Sequence, residues 1–253
     1  MLEVSQFRNK LKTHGPLFTL LYTAEFIVRP TWRKLYSELI SKSYSERYED
    51  VIIDSVLGNK DTGVYLDIGA YDPYKLSNTK RFYDRGWRGC NIEPNPTRFE
   101  RFIRARRDDV NLNAGISDFT GKQVFFEAEH EYFSTFSEER ACELKAMGEK
   151  IRREVEVPVI TLQEVFVEHL KGAPVDFCSI DTEGMDLIIL KSNDWRRFRP
   201  RVVCVEVSLA QGQTEGGQQA GSVESFLTSV GYKKYSETSH FGVPLNQIFI
   251  SQD

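Results

Sequence analysis

The sequence predicts an α/β protein built on a mostly parallel sheet and finished by an antiparallel hairpin. Three observations lead there. From residue 64 onward, short β-branched apolar runs alternate with helical patterns, as parallel strands need for their crossover connections. The runs are almost continuously apolar, the pattern of strands covered on both faces. The last two, "YKKYSE" and "NQIFIS", have no helix between them, so they should pair antiparallel.

Residues 1–47 read as an N-terminal helical extension, broken at Gly15-Pro16 and Arg29-Pro30, where proline removes a helical donor. Within it, "TWRKLYSELI" sets Trp32, Leu35, Leu39 and Ile40 on one helical face. "SYSERYEDVIIDSVLG" predicts a helix that opens on Ser45 and acids and closes at Gly58. Five strands follow at "VYLDIG" (64–69), "RGCNIEP" (88–94), "VNLNAGIS" (110–117), "VDFCSIDTEG" (175–184) and "RVVCVEVS" (201–208). Helices are expected near 78–86, 96–107, 161–170, 185–191 and 221–230. In the second of these, "RFERFIRARR", Phe99, Phe102 and Ile103 form an apolar face, which leaves most of the arginines solvated. The main domain spans 48–253 and carries an insertion near 121–159, in which strands "KQVFFE" and "EVEVPV" flank a charged helix.

Composition narrows the function classes. With 253 residues, 40% hydrophobic and 28% charged, the chain can bury an ordinary globular core. A net charge of -4 argues against nucleic acid as a partner. The four cysteines form no CxxC pair, so no metal cluster or disulfide framework is expected and a cytoplasmic setting fits. No apolar signal-peptide core opens the sequence, and "PLFTLLYTAEFIV" is too short to span a bilayer. Residues 1–43 carry seven Lys/Arg against three Glu. This basic arm reads as a cap on the domain or on a second copy of the chain, with peripheral contact at the inner membrane surface as the alternative.

In a parallel sheet, ligands sit beyond the carboxyl ends of the strands, and "DIGA" ends the first of them. The glycine-rich fingerprint that seats a pyrophosphate is absent, since Gly69 is the only glycine between Val64 and Gly86. An acid–x–Gly–Ala turn suits a cofactor without phosphates: Gly69 and Ala70 let the backbone approach it, and Asp67 can orient turn amides or meet a cationic amino group. Ser77, Asn78 and Thr79 begin the next helix beneath the rim of that site. Glu93 ends the second strand, where a carboxylate can accept both hydroxyls of a ribose. "NAGISD" offers Asn113, Ser117 and Asp118 to an adenine amino group. The set points to S-adenosylmethionine.

The chain resembles the FkbM family of S-adenosylmethionine-dependent methyltransferases. The matching stretches are "YSERYEDVIIDSVL", "YLDIGAYDPYKLSNTKRFYDRGWRGCNIEPNPTRFE", "NAGISD", "STF", "VPVITLQEV", "VDFCSIDTEGMDLIIL", "PRVVCVEV" and "LNQIFI", in family order over roughly residues 44 to 251. The resemblance implies a Rossmann-like methyltransferase fold and O-methylation of a hydroxyl on a sugar, in a glycan or glycolipid, or on a small secondary metabolite. A non-catalytic cofactor-binding scaffold is the remaining alternative. Asp186 stands where family members commonly carry another acid after the Gly of "IDxEG".

A sugar hydroxyl titrates far above neutrality, so its methylation calls for a general base or a metal. Asp181 and Glu183 close the fourth strand and Glu206 the fifth. These three are the candidate catalytic residues, with Asp181 also within reach of the cofactor. Together they could hold a divalent ion, although a metal is not expected. His130 and His240, on loops that could cover the acceptor, are weaker candidates for the base; His14 lies in the arm and His169 closes a helix.

Overall fold

The computed structural model describes residues 43–182, 184–207, 216–240 and 243–252. The N-terminal helical extension expected over 1–47 therefore falls almost wholly outside the described residues, as does Glu183. The chain divides into two units between Ser43 and Tyr44, and the described elements all belong to the second. The strands are β1 Val64–Ile68, β2 Arg88–Ile92, β3 Val110–Leu112, β4 Gly115–Ile116, β5 Gly121–Ala128, β6 Ile151–Ile160, β7 Phe177–Ile180, β8 Val202–Glu206, β9 Tyr232–His240 and β10 Val243–Ser251. The helices are α1 Glu49–Val56, α2 Lys80–Arg85, α3 Pro96–Ala105, α4 Glu138–Ala146, α5 Leu162–Glu164, α6 Asp186–Lys191 and α7 Gly216–Ser229.

Seven strands make the central sheet in the order β3-β2-β1-β7-β8-β10-β9. The first five run parallel, and β10 pairs antiparallel with both β8 and β9, so the expected terminal hairpin forms. This is the Rossmann-like arrangement anticipated from the alternating pattern. Side chains of the buried strands divide between two cores. Tyr65, Phe177, Val202 and Cys204 meet Ile53 of α1, Phe82 of α2 and Trp87 on one face. Leu66, Cys178, Ile180, Val203 and Val205 meet Leu162, Ile189, Leu190, Val223 and Leu227 of α5, α6 and α7 on the other. All four cysteines are free, and Cys90, Cys178 and Cys204 lie in these cores.

One predicted strand divides in two. Of residues 110–117, β3 joins the central sheet, whereas β4 leaves it to pair with β6 in a second sheet ordered β4-β6-β5. Asn113 marks the break, because its side-chain amide donates to the carbonyls of Glu93 and Pro94, at 2.9 Å each, and pins the chain there. The helix expected over 161–170 narrows to α5, followed by a wider π-helical turn at Val165–His169.

Helix α3 starts on an Asn95 cap that accepts from the amides of Thr97 and Arg98, with Pro96 at the first helical position. Its arginines depart from the sequence expectation. Arg98 and the following Arg106 are buried, while Ile103 is 49% exposed. These two cations face inward because Arg106 donates to the Tyr65 hydroxyl and the Pro73 carbonyl, and Arg98 lies over the Tyr71 ring.

A buried ion cluster ties α1 to α2. Asp54, 1% exposed, accepts from Arg81 at 2.7 Å and from Arg85. Burial would raise its carboxyl, but the bonds from Arg85 and Arg81 outweigh that and hold it below the usual range. Its contribution is therefore present above the unfolded-state value and is lost as pH falls through the lowered folded-state value. Asp54→Ala is expected to cost about 3 kcal/mol, since two partly buried guanidinium groups lose their acceptor; urea unfolding near neutral pH measures it. Among the described residues no helix is long and apolar enough to cross a membrane.

Candidate active site

A deep crevice opens beyond the carboxyl ends of β1, β2, β7 and β8, with about 1280 Å³ of space when its open mouth is included. Asp67, Gly69, Ala70, Ser77, Asn78, Glu93, Asp181 and Glu206 all line it.

The turn after β1 sets the geometry. Gly69 has φ +75°, and a Cβ there would fall 1.8 Å from the carbonyl oxygen of Asp181. Only glycine lets the turn lie this close to β7. The amides of Gly69 and Ala70 both donate to the Ile92 carbonyl, at 3.0 and 3.1 Å, fastening the turn to β2 as well. Asp67 is buried and accepts from the Thr79 hydroxyl at 2.7 Å. Burial pushes its carboxyl up to about 6, against the Thr79 hydroxyl and Arg106. Thr79 itself does not line the crevice. It stands behind Asp67, 3.2 Å from Ser77 Oγ, and supports that carboxylate rather than facing a ligand. Asn78 donates to Ser179 Oγ at 2.9 Å and so links the rim to β7.

Glu93 is fixed by two backbone donors. Tyr71 N–H reaches one carboxylate oxygen at 2.9 Å, and Asn95 N–H reaches the other at 2.8 Å. Each oxygen keeps a lone pair for a ligand. Burial pushes this carboxyl up to about 7, with Arg98 and the two amides acting against it. Tyr71 holds φ +56°, a left-handed conformation that non-glycine residues rarely adopt, which aims its amide at Glu93.

Beyond Glu93 the lining turns apolar: Ile92, Ala114, Ile116, Phe125 and Phe136. Phe136 lies against Gly115, where a Cβ would come 2.5 Å from its ring. The adenine-side residues expected from the sequence are placed elsewhere. Asn113 braces the turn after β2, and Ser117 is buried with its amide on the Ile160 carbonyl and its hydroxyl 3.3 Å from Asp118; neither lines the crevice. Both miss it because the strand breaks between them, which brings Ala114, Gly115 and Ile116 to the wall instead.

At the opposite end four carboxylates gather: Glu46, Glu49, Asp181 and Glu206. Register Ile180↔Val205 sets Asp181 beside Glu206 at neighbouring strand ends, where the two carboxyls can share a proton. Asp181 is exposed to the crevice with protein on its other sides. Crowding by the protein on those other sides, with Glu46 and Glu49 nearby, raises its carboxyl above the usual range, against its interaction with Glu206. Glu49 was not foreseen as a site residue. It is buried and accepts from Thr238 at 2.6 Å, Asn246 at 3.0 Å and the Arg47 amide at 2.8 Å. Asp186 does not line the crevice. It clasps the turn after β7, accepting from the amide and hydroxyl of Thr182 and the amide of Gly184. Glu183, between them, is outside the described residues.

The insertion closes the third side through Tyr132, Ser134, Thr135 and Phe136. His130 pairs with Glu149 at 2.8 Å and does not line the crevice, nor does His169. His14 and the side chain of His240 lie outside the described residues. Among the described residues no group of three His, Cys, Asp or Glu is arranged to hold a metal ion.

Several solved structures are similar to this chain. A methyltransferase FkbM from Methylobacillus flagellatus KT aligns over 81% of the chain and 48% of its own length, at 13% identity and TM-score 0.47. The chain thus spans about half of that relative. A putative caffeoyl-CoA O-methyltransferase from Staphylococcus aureus aligns over 99% and 100%, at 10% identity and TM-score 0.47. A Burkholderia thailandensis 1,6-didemethyltoxoflavin-N1-methyltransferase, solved with 1,6-didemethyltoxoflavin and S-adenosylhomocysteine, aligns over 95% and 94%, at 11% identity and TM-score 0.45. No curated protein matches the chain. The methyltransferase FkbM domain matches residues 67–234, more than half of the chain, from the turn acid Asp67 through β8 and into β9. The chain belongs to the FkbM methyltransferase family.

Proposed function

We propose that the protein methylates a hydroxyl group, on a sugar of a glycan or glycolipid, and that the crevice holds cofactor and acceptor side by side. The observation that carries this reading is the Asp181–Glu206 carboxyl pair at the acidic end. A hydroxyl loses its proton only to a base that stands within reach. Asp181, raised above the usual carboxylate range, is a stronger base than an ordinary aspartate. Glu206 shares the proton that Asp181 takes from the hydroxyl, while Glu46 and Glu49 disfavour a second negative charge and so favour its capture.

The other end of the crevice fits S-adenosylmethionine by its donor and acceptor set. Glu93 has one open lone pair on each oxygen for the two ribose hydroxyls. Ile92, Ala114, Ile116 and Phe136 offer an apolar slot for adenine. Asp67, with Ser77 and Asn78 on the rim, faces the methionine portion and its cationic amino group. Bound there, the cofactor supplies a methyl group activated on a sulfonium. The chain's part is alignment, which is worth several kcal/mol, and removal of the hydroxyl proton.

The test is transfer of labelled methyl from S-adenosylmethionine to glycan and glycolipid extracts of the source cell, with the product identified by mass and linkage analysis. Label on a sugar oxygen is the expected result. Label confined to nitrogen, carbon or a small non-sugar metabolite would overturn the acceptor assignment.

A further inference from the structure

Helix α3 contributes a side chain that the sequence places in solvent and the structure places against the cofactor end. Arg98 is 6% exposed and lines the crevice. Its guanidinium lies 4.2 Å over the ring of Tyr71. Tyr71 is the residue whose amide holds Glu93, and its ring stacks on Tyr132 of the insertion at 5.1 Å and 24°. The result is a column, Arg98–Tyr71–Tyr132, that runs from the core helix to the exposed tip of the insertion beside Glu93.

We propose that Arg98 is a positioning residue for S-adenosylmethionine: from behind Tyr71 it fixes the turn that orients Glu93 and keeps that carboxylate charged for the ribose. This rests on the reading of Glu93 as the ribose carboxylate. Two separable effects are involved. The flat guanidinium holds the Tyr71 ring by cation–π stacking, which lysine cannot reproduce with the same geometry. The positive charge opposes the burial that favours neutral Glu93. Among the described residues, Arg98 from α3 and Asp67 from β1 bear on Glu93, and these act in opposite directions. On the rim, Asp72 is engaged by Arg101 at 3.2 Å. From the insertion, Arg153 of β6 is engaged by Glu127.

The sign follows from the chemistry. Ribose hydroxyls donate to the ionised carboxylate, so affinity is full above the Glu93 value and falls as pH drops through it. Because that value is about 7, binding to the wild type should weaken about tenfold per pH unit below it. Loss of the Arg98 charge raises the value and moves the fall to higher pH.

The experiment measures the affinity of the full chain for S-adenosylhomocysteine by calorimetry from about pH 5.5 to about pH 9, a window spanning the ordinary and the raised carboxylate values. 5′-Methylthioadenosine, which lacks the charged amino-acid group, serves as a second probe. Arg98→Met is expected to shift the acidic limb upward for both probes. Arg98→Lys is expected to keep the limb near its wild-type position while weakening binding at every pH. Tyr132→Ala, which removes only the outer ring, should also weaken binding without moving the limb. Circular dichroism confirms that each variant is folded. If the wild type shows an acidic limb that Glu93→Gln abolishes, yet Arg98→Met leaves that limb in place, the proposal for Arg98 is wrong while the cofactor reading stands. If the wild type is flat and Glu93→Gln binds normally, the ribose assignment fails, and the proposal with it.

Discussion

Asp181→Asn is expected to lower the rate of methyl transfer by about 10²–10⁴-fold, the range associated with removal of a positioned general base. The amide keeps the shape of the side chain at the end of β7 but cannot accept a proton from the proposed hydroxyl acceptor. The fold should survive, because the strand is held through the Asp181 amide on the Ile68 carbonyl, at 3.0 Å, rather than through the carboxylate. Cofactor affinity should change far less than turnover, which separates a base from a binding residue. The pH profile adds a signature. With the Asp181 carboxyl raised by its surroundings, the acidic limb of kcat should lie above the ordinary carboxylate range and disappear in the variant. Glu206→Gln should cost less, because Asp181 remains. Single-turnover transfer of labelled methyl measures both, and an unimpaired Asp181→Asn enzyme would remove the carboxylate pair from the mechanism.

The second large effect belongs to Gly69. Gly69→Ala introduces a Cβ 1.8 Å from the Asp181 carbonyl oxygen, a backbone atom with no side-chain freedom to move aside. It also forces alanine to φ +75°. Left-handed strain and overpacking each cost about 1–3 kcal/mol, so together on the order of 3 kcal/mol or more is expected. Relief of the clash requires the β1 turn and the end of β7 to separate. Asp67 and Asp181 would then no longer face one crevice. Chemical denaturation and S-adenosylhomocysteine binding report the two consequences separately. Wild-type values in both would contradict the close packing of this turn.

Much of the architecture was legible in the sequence because it depends on local pattern. Strand burial on two faces writes a continuous apolar run, and the absence of a helix between "YKKYSE" and "NQIFIS" leaves only antiparallel pairing. Asp67, Gly69, Ala70 and Glu93 were legible for a related reason. In a parallel sheet the carboxyl end of every strand points to the same side, so a residue's place in its own strand fixes its place in the site. Asp181 and Glu206 follow the same rule.

What the sequence left open depends on partners far along the chain. Glu49 reaches the crevice because Thr238 and Asn246, 189 and 197 positions away, grip its carboxylate. No helical period in "YSERYEDVII" announces that grip. Arg98 looks solvated by periodicity, since a helical pattern records which faces are apolar and cannot record that a buried cation has a carboxylate and a tyrosine ring waiting on other elements. Asn113 and Ser117 lie in an apolar run that reads as one strand, but two sheets compete for it, and the break between them turns Ala114 to Ile116 toward the site. The sequence by itself determined the sheet, the glycine turn after β1 and the places of the strand-end acids, all set by backbone period and topology. Only the tertiary structure decided which acids meet, which arginine faces inward and how the insertion closes the crevice, because those are contacts between elements that no local pattern encodes.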